Sequence, residues 1–195
     1  MCALFMNKYR IGSKRLKGFD YSSPGKYFIT ICTKNKIPYF GKIENGEMIL
    51  SKLGKIAEKF WQEIPAHFPF IELDNFIVMP DHMHGIISIN TNPDSNIVET
   101  MHASFLQTNF QNPNKPIAPE IYTNTMENNK CISPKPGSLG SIIGSYKSAV
   151  SKTIHRSNSD FKWLSRFYDH LIRSDHELSR IRKYIRENPQ NFKNL

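Results

Sequence analysis

The chain is poor in cysteine. Cys2, Cys32 and Cys131 are odd in number and share no C-x-x-C spacing, so they outline neither a disulfide scaffold nor a cysteine zinc site and read as reduced thiols. No stretch approaches the ~20 consecutive apolar residues of a membrane helix. A secretory leader is also missing from the pattern, because Met1 to Asn7 is short and positive charge follows it rather than precedes it. A cytoplasmic location without membrane contact is the expectation. Acid is scarce too: 17 Asp and Glu face 26 Lys and Arg, and the resulting charge of +9 points to a polyanionic partner. What remains, 195 residues of which 39% are hydrophobic, suffices for one compact core and is too apolar for wholesale disorder.

Near the start, Lys8, Arg10, Lys14, Arg15 and Lys17 meet no acid. Residues 1–26 therefore form a basic arm that could lie along phosphates or be a solvated terminus. Tyr27 to Thr33 is aromatic and β-branched, as a buried strand requires. Tyr39 to Ile43 and Glu47 to Leu50 flank Asn45-Gly46, a dipeptide that favours a tight hairpin. From Ser51 onward, Leu53, Ile56, Ala57, Phe60, Trp61 and Ile64 recur at helical spacing and stop before Pro65. Glu72 to Met79 and Met83 to Ile89, parted by Pro80-Asp81, are predicted to be antiparallel neighbours.

Residues 91–138 differ in kind. Eight of these 48 residues are Asn and six are Pro, with no periodicity, which predicts a long flexible insertion. Its net charge is about −1, so the positive excess lies in the ordered parts, mostly after Leu139. There Leu139, Ile142, Ile143, Tyr146, Ala149, Val150 and Ile154 mark a second amphipathic helix. A strand is predicted over Phe167 to Ile172. Ser174-Asp-His-Glu177 matches a capping box, opening a helix from Asp175 to about Glu187 that Pro189 ends. The order strand, helix, strand, strand, helix, strand, helix describes an α+β fold of the ferredoxin-like kind with an added C-terminal helix.

His82 and His84 sit two apart in a strand, so both imidazoles share one face and Met83 takes the other. That is half of a divalent-metal site, although the same spacing also suits two ordinary, partly buried histidines. On the last helix Tyr184 and Asn188 stack one turn apart, beside the apolar stripe Leu178, Ile181 and Ile185. Asn188 could offer its amide oxygen to a metal and Tyr184 a phenol to whatever the metal polarises. They also read as a packed tyrosine and a C-cap.

The segment Phe76-Ile-Val-Met-Pro-Asp-His-Met-His-Gly-Ile-Ile87 resembles the His-hydrophobic-His motif of the HUH endonucleases. Ile181-Arg-Lys-Tyr-Ile-Arg-Glu-Asn-Pro189 resembles the tyrosine helix of single-tyrosine transposases acting on single-stranded DNA, especially the REP-associated tyrosine transposases. Lys14-Arg-Leu-Lys-Gly-Phe-Asp-Tyr-Ser-Ser-Pro-Gly-Lys-Tyr-Phe-Ile-Thr-Ile31, Gly140-Ser-Ile-Ile-Gly-Ser-Tyr-Lys-Ser148 and Phe167-Tyr-Asp-His-Leu-Ile-Arg173 are similar to that group as well. The resemblance covers nearly all of the chain except the insertion, as one HUH-type domain over residues 1–195. It departs at Asp81, where Asn is expected, which either adds a carboxylate near the site or changes only the turn.

The resemblance implies an antiparallel sheet with helices on one face and a C-terminal helix that carries the nucleophile. It implies Mg²⁺ or Mn²⁺ held by His82, His84 and Asn188, with Tyr184 attacking single-stranded or hairpin DNA to leave a 5′-phosphotyrosine and a free 3′-OH, in a monomer or homodimer. Ligand type alone leaves Zn²⁺ open. Lys14, Arg15, Lys17, Lys147, Lys152, Arg156, Arg180, Arg182 and Arg186 form the expected DNA-binding set, and Arg180 could also favour the Tyr184 phenolate. Tyr168 is a rival nucleophile. A nucleic-acid-binding module without catalysis, and a metal-dependent nuclease using His82, His84 and Asp81 with water as attacker, are the competing readings.

Overall fold

The computed structural model describes residues 20–90 and 134–192. The basic arm, with Lys14, Arg15 and Lys17, and the insertion as far as residue 133 lie outside the described residues. Four strands form one antiparallel sheet: β1 (Gly25–Cys32), β4 (Ile71–Val78), β5 (His82–Ile89) and β6 (Tyr168–Ile172), in the order β4-β5-β1-β6. This is the ferredoxin-like arrangement that the order of elements predicted. The hairpin β2 (Gly41–Glu44) and β3 (Glu47–Leu50) stands apart as a second small sheet. Its turn puts Asn45 at φ 51° and Gly46 at φ 79°, the left-handed backbone that this dipeptide tolerates.

The sheet is covered on both faces, which is why all eight residues of β5 are buried. On one face lie α1 (Lys52–Gln62) and α3 (Leu139–Ile154), and Ala57, Trp61, Ile142, Tyr146 and Val150 join Tyr27, Ile29, Ile31, Met83 and Ile87 in the main core. Ser51 and Ser138 cap the two helices by accepting from the amides of Gly54 and Ser141. The indole of Trp61 lies against Gly85 of β5, so closely that an added Cβ would stand 2.3 Å from Cζ2. Between α1 and β4 the chain adds a short helix, α2 (Ile64–His67), where the sequence predicts an end before Pro65. Proline lacks only an amide that a first helical turn leaves unpaired, so it opens a new turn there.

The C-terminal helix α4 (Asp175–Glu187) covers the opposite face, packing Leu178 and Ile185 on Ile86 and Ile172. Ser174 accepts from the amide of Glu177 at 3.2 Å, as the capping box predicts. The Glu177 carboxylate reaches one residue further back than that motif requires, to the amide of Arg173, and also meets Nε2 of His170. Where β4 bulges between Leu73 and Phe76, Asp74 receives a forked pair of bonds from Arg182, at 3.0 and 2.6 Å. Burial opposes ionisation of Asp74, but the Arg182 guanidinium and the Asn75 amide outweigh it and hold the carboxyl below its usual range. That stabilisation is complete above about pH 4 and fades as the pH falls through the depressed folded value. Asp74→Asn should therefore lower the melting temperature at neutral pH, with a deficit that shrinks below about pH 4 in thermal melts across a pH series.

Candidate active site

The site begins where β5 leaves the Pro80-Asp81 turn. The amide and hydroxyl of Thr33 both donate to the Asp81 carbonyl, at 2.8 and 2.9 Å, so the turn is pinned to the end of β1. Strand alternation then sends Met83, Gly85 and Ile87 into the main core and His82, His84 and Ile86 toward α4. His82 and His84 are 8% and 1% exposed, and their rings lie 4.7 Å apart at 72°. Nδ1 of His82 donates to Oδ1 of Asp81 at 2.5 Å. The other nitrogen, Nε2, is buried without a hydrogen-bond partner. A carboxylate on Nδ1 fixes the tautomer whose Nε2 offers a lone pair, the usual arrangement behind a metal-binding imidazole.

His84 is oriented by the strand next to it. Thr30 is its register partner on β1, and the threonine hydroxyl lies 2.8 Å from Nδ1. Phe28 stacks along the same imidazole at 5.4 Å and 24°. Burial, reinforced by neighbouring His82, pushes the His84 ring well below the ordinary histidine range and keeps it neutral. Its Nε2 faces the hydroxyl of Tyr184 at 3.3 Å. We assign the Nδ1–H tautomer, donating to Thr30, because the more acidic phenol is then the donor to Nε2.

Tyr184 and Asn188 follow from the way α4 docks. Leu178 and Ile185 are buried beneath the helix, which leaves Tyr184 on its shoulder, 39% exposed, with its ring 5.3 Å from His84 and 6.1 Å from Phe28. Asn188 is the C-cap, 9% exposed. Four residues later the Phe192 ring approaches His82 at 6.1 Å. Chain order thus runs from a tyrosine on His84, through the buried asparagine, to an aromatic ring on His82. Among the described residues no group of three or more His, Cys, Asp and Glu side chains could hold a metal. A cation here would need an amide beside the imidazoles, and Asn188 is the candidate that the helix supplies.

Tyr168 occupies a different place. On β6 it is the register partner of Thr30, on the side of β1 away from His84, and its ring meets Phe28 edge-on at 6.3 Å. Burial raises its pKa, and the Asp169 and Glu177 charges raise it further, so its phenolate is disfavoured. The expected basic set divides. Arg182 is committed to Asp74, and Lys147 donates to the carbonyls of Leu164 and Ser165 at 2.6 and 3.2 Å. Both cations hold the fold together before they meet any ligand, which helical spacing cannot reveal. Arg180 lies 3.8 Å from Glu177 with its side chain 71% exposed. Arg156 and Arg186 are exposed and Lys152 is half-buried. Nothing in the sequence marks Thr30 and Phe28 as site residues; only the β1–β5 register brings them to His84.

No protein-family profile matches the chain. Over 190 residues it is 34% identical to an uncharacterized protein of Haemophilus influenzae strain Rd, covering 93% of this chain and 92% of that one. Among solved structures it is similar to a REP-associated tyrosine transposase bound to a REP hairpin, with a TM-score of 0.52 and 16% identity, covering 95% of this chain and 74% of that chain. No helix of the described residues is long and apolar enough to cross a membrane.

Proposed function

We propose that this chain, which belongs to one family with that Haemophilus influenzae protein and has the α+β fold of the REP-associated tyrosine transposase, cleaves and rejoins single-stranded DNA through Tyr184. The observation that carries this reading is the Tyr184 hydroxyl directed at Nε2 of His84, with the unpartnered Nε2 of His82 in the neighbouring ring. Oη of Tyr184 would bond to the scissile phosphorus as the bond to the 3′ oxygen breaks. The phenol proton is given up, the 3′ oxygen leaves as a hydroxyl, and the 5′-phosphotyrosine retains the ester for rejoining. Generating phenolate at pH 7 from a phenol of pKa ~10 costs about 4 kcal/mol, so a cation or base must assist.

The donor set fits a divalent cation: two imidazoles, one backed by a carboxylate, and a buried amide. His82, His84 and Asn188 would hold Mg²⁺ or Mn²⁺, whose chemistry is to polarise the phosphate oxygens and stabilise the charge that builds on them. The proposed substrate is hairpin DNA with a single-stranded flank, the class that the solved transposase's hairpin suggests. The bond from His82 occupies Asp81, which favours a backing role over activation of water. Asp81→Ala is expected to weaken Mn²⁺ binding about 10–100-fold in calorimetric titrations. Asp81→Asn should lose less, because an amide oxygen still accepts from Nδ1–H.

The deciding experiment incubates the protein with Mn²⁺ and end-labelled hairpin DNA, then denatures it. Label travelling with the protein in the wild type and in Tyr168→Phe is the expected result. Cleaved DNA with no label on the protein would instead favour a water-using nuclease, and binding without cleavage a non-catalytic module.

A further inference from the structure

Beyond the histidine face, an open groove of about 560 Å³ lies between the C-terminal half of α3 and the segment after it. Lys34, Lys147 and Lys162 line it, and among the described residues no carboxylate does. Trp163 and Leu164 supply apolar surface, Leu164 being 41% exposed. Ser148 and Ser151 add hydroxyls from one face of α3. Cations along the rim and an apolar floor are the two ingredients of a single-strand binding track: phosphates meet the lysines and a base lies on the apolar surface. Charge complementarity therefore favours a nucleic acid strand over an apolar peptide as occupant.

The groove is built onto the same structural joint as the histidines. Trp163 bridges to Thr33, whose hydroxyl donates to the Asp81 carbonyl. The amide of Leu164 donates to the carbonyl of Cys32, and Cys32 is the register partner of His82. Two inter-strand steps thus separate the Leu164 backbone from that of His82, roughly 10 Å at ~4.8 Å each. The groove lies on the α3 side of the sheet and His82 on the α4 side, so a strand reaching both passes round the end of β1. Lys34 is fixed on the rim by its amide, which donates to the Lys162 carbonyl at 2.8 Å and holds the two backbones together. Lys147 keeps one N–H beyond the two that it gives to Leu164 and Ser165.

We propose that this groove is a second DNA subsite, which takes the single-stranded flank next to the scissile phosphate, with phosphates on Lys34 and Lys162 and a base against Trp163 and Leu164. The proposal rests on the reading of Tyr184 chemistry only for which strand is bound. It is tested with Tyr184→Phe protein, so that binding is measured without cleavage, by fluorescence anisotropy of short labelled oligo-dT over a salt series. Lys34→Ala/Lys162→Ala should weaken binding about tenfold and flatten the log–log salt slope by about 1.4, at ~0.7 for each single-strand phosphate that a lysine no longer neutralises. Lys52→Ala/Lys55→Ala, an exposed pair on α1, should change neither. An abasic oligonucleotide should bind more weakly than oligo-dT to the parent protein, and Leu164→Ala should narrow that gap.

Equal losses from the two lysine pairs, or an abasic strand that binds as well as oligo-dT, would overturn the groove. Adduct formation by wild-type protein distinguishes this failure from that of the proposed function. Adduct with groove-independent binding removes the groove alone. Groove-dependent binding with no adduct removes the cleavage reading and leaves the groove.

Discussion

Tyr184→Phe should abolish the covalent protein–DNA adduct outright while leaving the protein folded and its metal and DNA affinities close to wild type. The substitution removes one oxygen from a side chain that is 39% exposed, so little packing is lost. The ring contacts with His84 and Phe28 remain available to phenylalanine. What disappears is the oxygen that the proposed chemistry uses to form the ester to phosphorus, and among the described residues neither Thr30 nor Tyr168 is placed to replace it. Thr30 is turned onto Nδ1 of His84, and the Tyr168 ring lies beyond Phe28. Labelled DNA retained on denatured protein, compared between wild type and variant, measures the effect. Adduct at a tenth or more of the wild-type level in Tyr184→Phe would move the nucleophile elsewhere and leave Tyr184 a packed aromatic.

Gly85→Ala should be the most destabilising single-methyl change near the site, by about 3 kcal/mol, at the upper end for overpacking. A Cβ there would lie 2.3, 2.9 and 3.1 Å from three atoms of the Trp61 ring, and the first two are closer than real Cβ contacts come. Relief by rotation is limited, because Trp61 is fully buried with Tyr146 edge-on at 5.3 Å and Phe76 at 6.3 Å. The strand itself must shift, and His84 is the residue just before. Denaturant melts should therefore show lost stability, and cleavage should fall with it under conditions where the variant is still folded. Trp61→Phe in the Gly85→Ala background should recover part of the loss, a coupling that a double-mutant cycle reads directly. Additive effects of the two substitutions would mean that the indole yields without cost.

The scaffold is legible in the sequence where a pattern is local. Asn45-Gly46 names its turn, Ser174 its cap, and the period of two around Met83 puts His82 and His84 on one face. The α4 boundaries follow from the cap and from Pro189. What stays hidden depends on partners far along the chain. The threonine that orients His84 is 54 residues away and is an ordinary β-branched residue until β1 pairs with β5. Asp81 reads equally as turn or ligand in the sequence, and the direction of its carboxylate onto His82 is a tertiary fact. Lys147 and Arg182 look like free cations there because helical spacing reports which face a residue occupies and not whether a carbonyl or carboxylate waits opposite.

The two sides of the sheet are anchored unequally. Among the described residues, the buried cluster shared with α1 and α3 holds twenty-one side chains, whereas the one beneath α4 holds four: Ile86, Ile172, Leu178 and Ile185. Besides those four, Phe28, Ile77 and Ile181 and the Arg182–Asp74 pair tie α4 down. Sub-global opening draws on the least anchored elements, so amide exchange in α4 is expected to be faster than in β1 and β5. A DNA end esterified to Tyr184 would travel with that helix. On the chemistry proposed for Tyr184, strand exchange would then ask for displacement of α4 and its cargo and leave the sheet and its larger core in place.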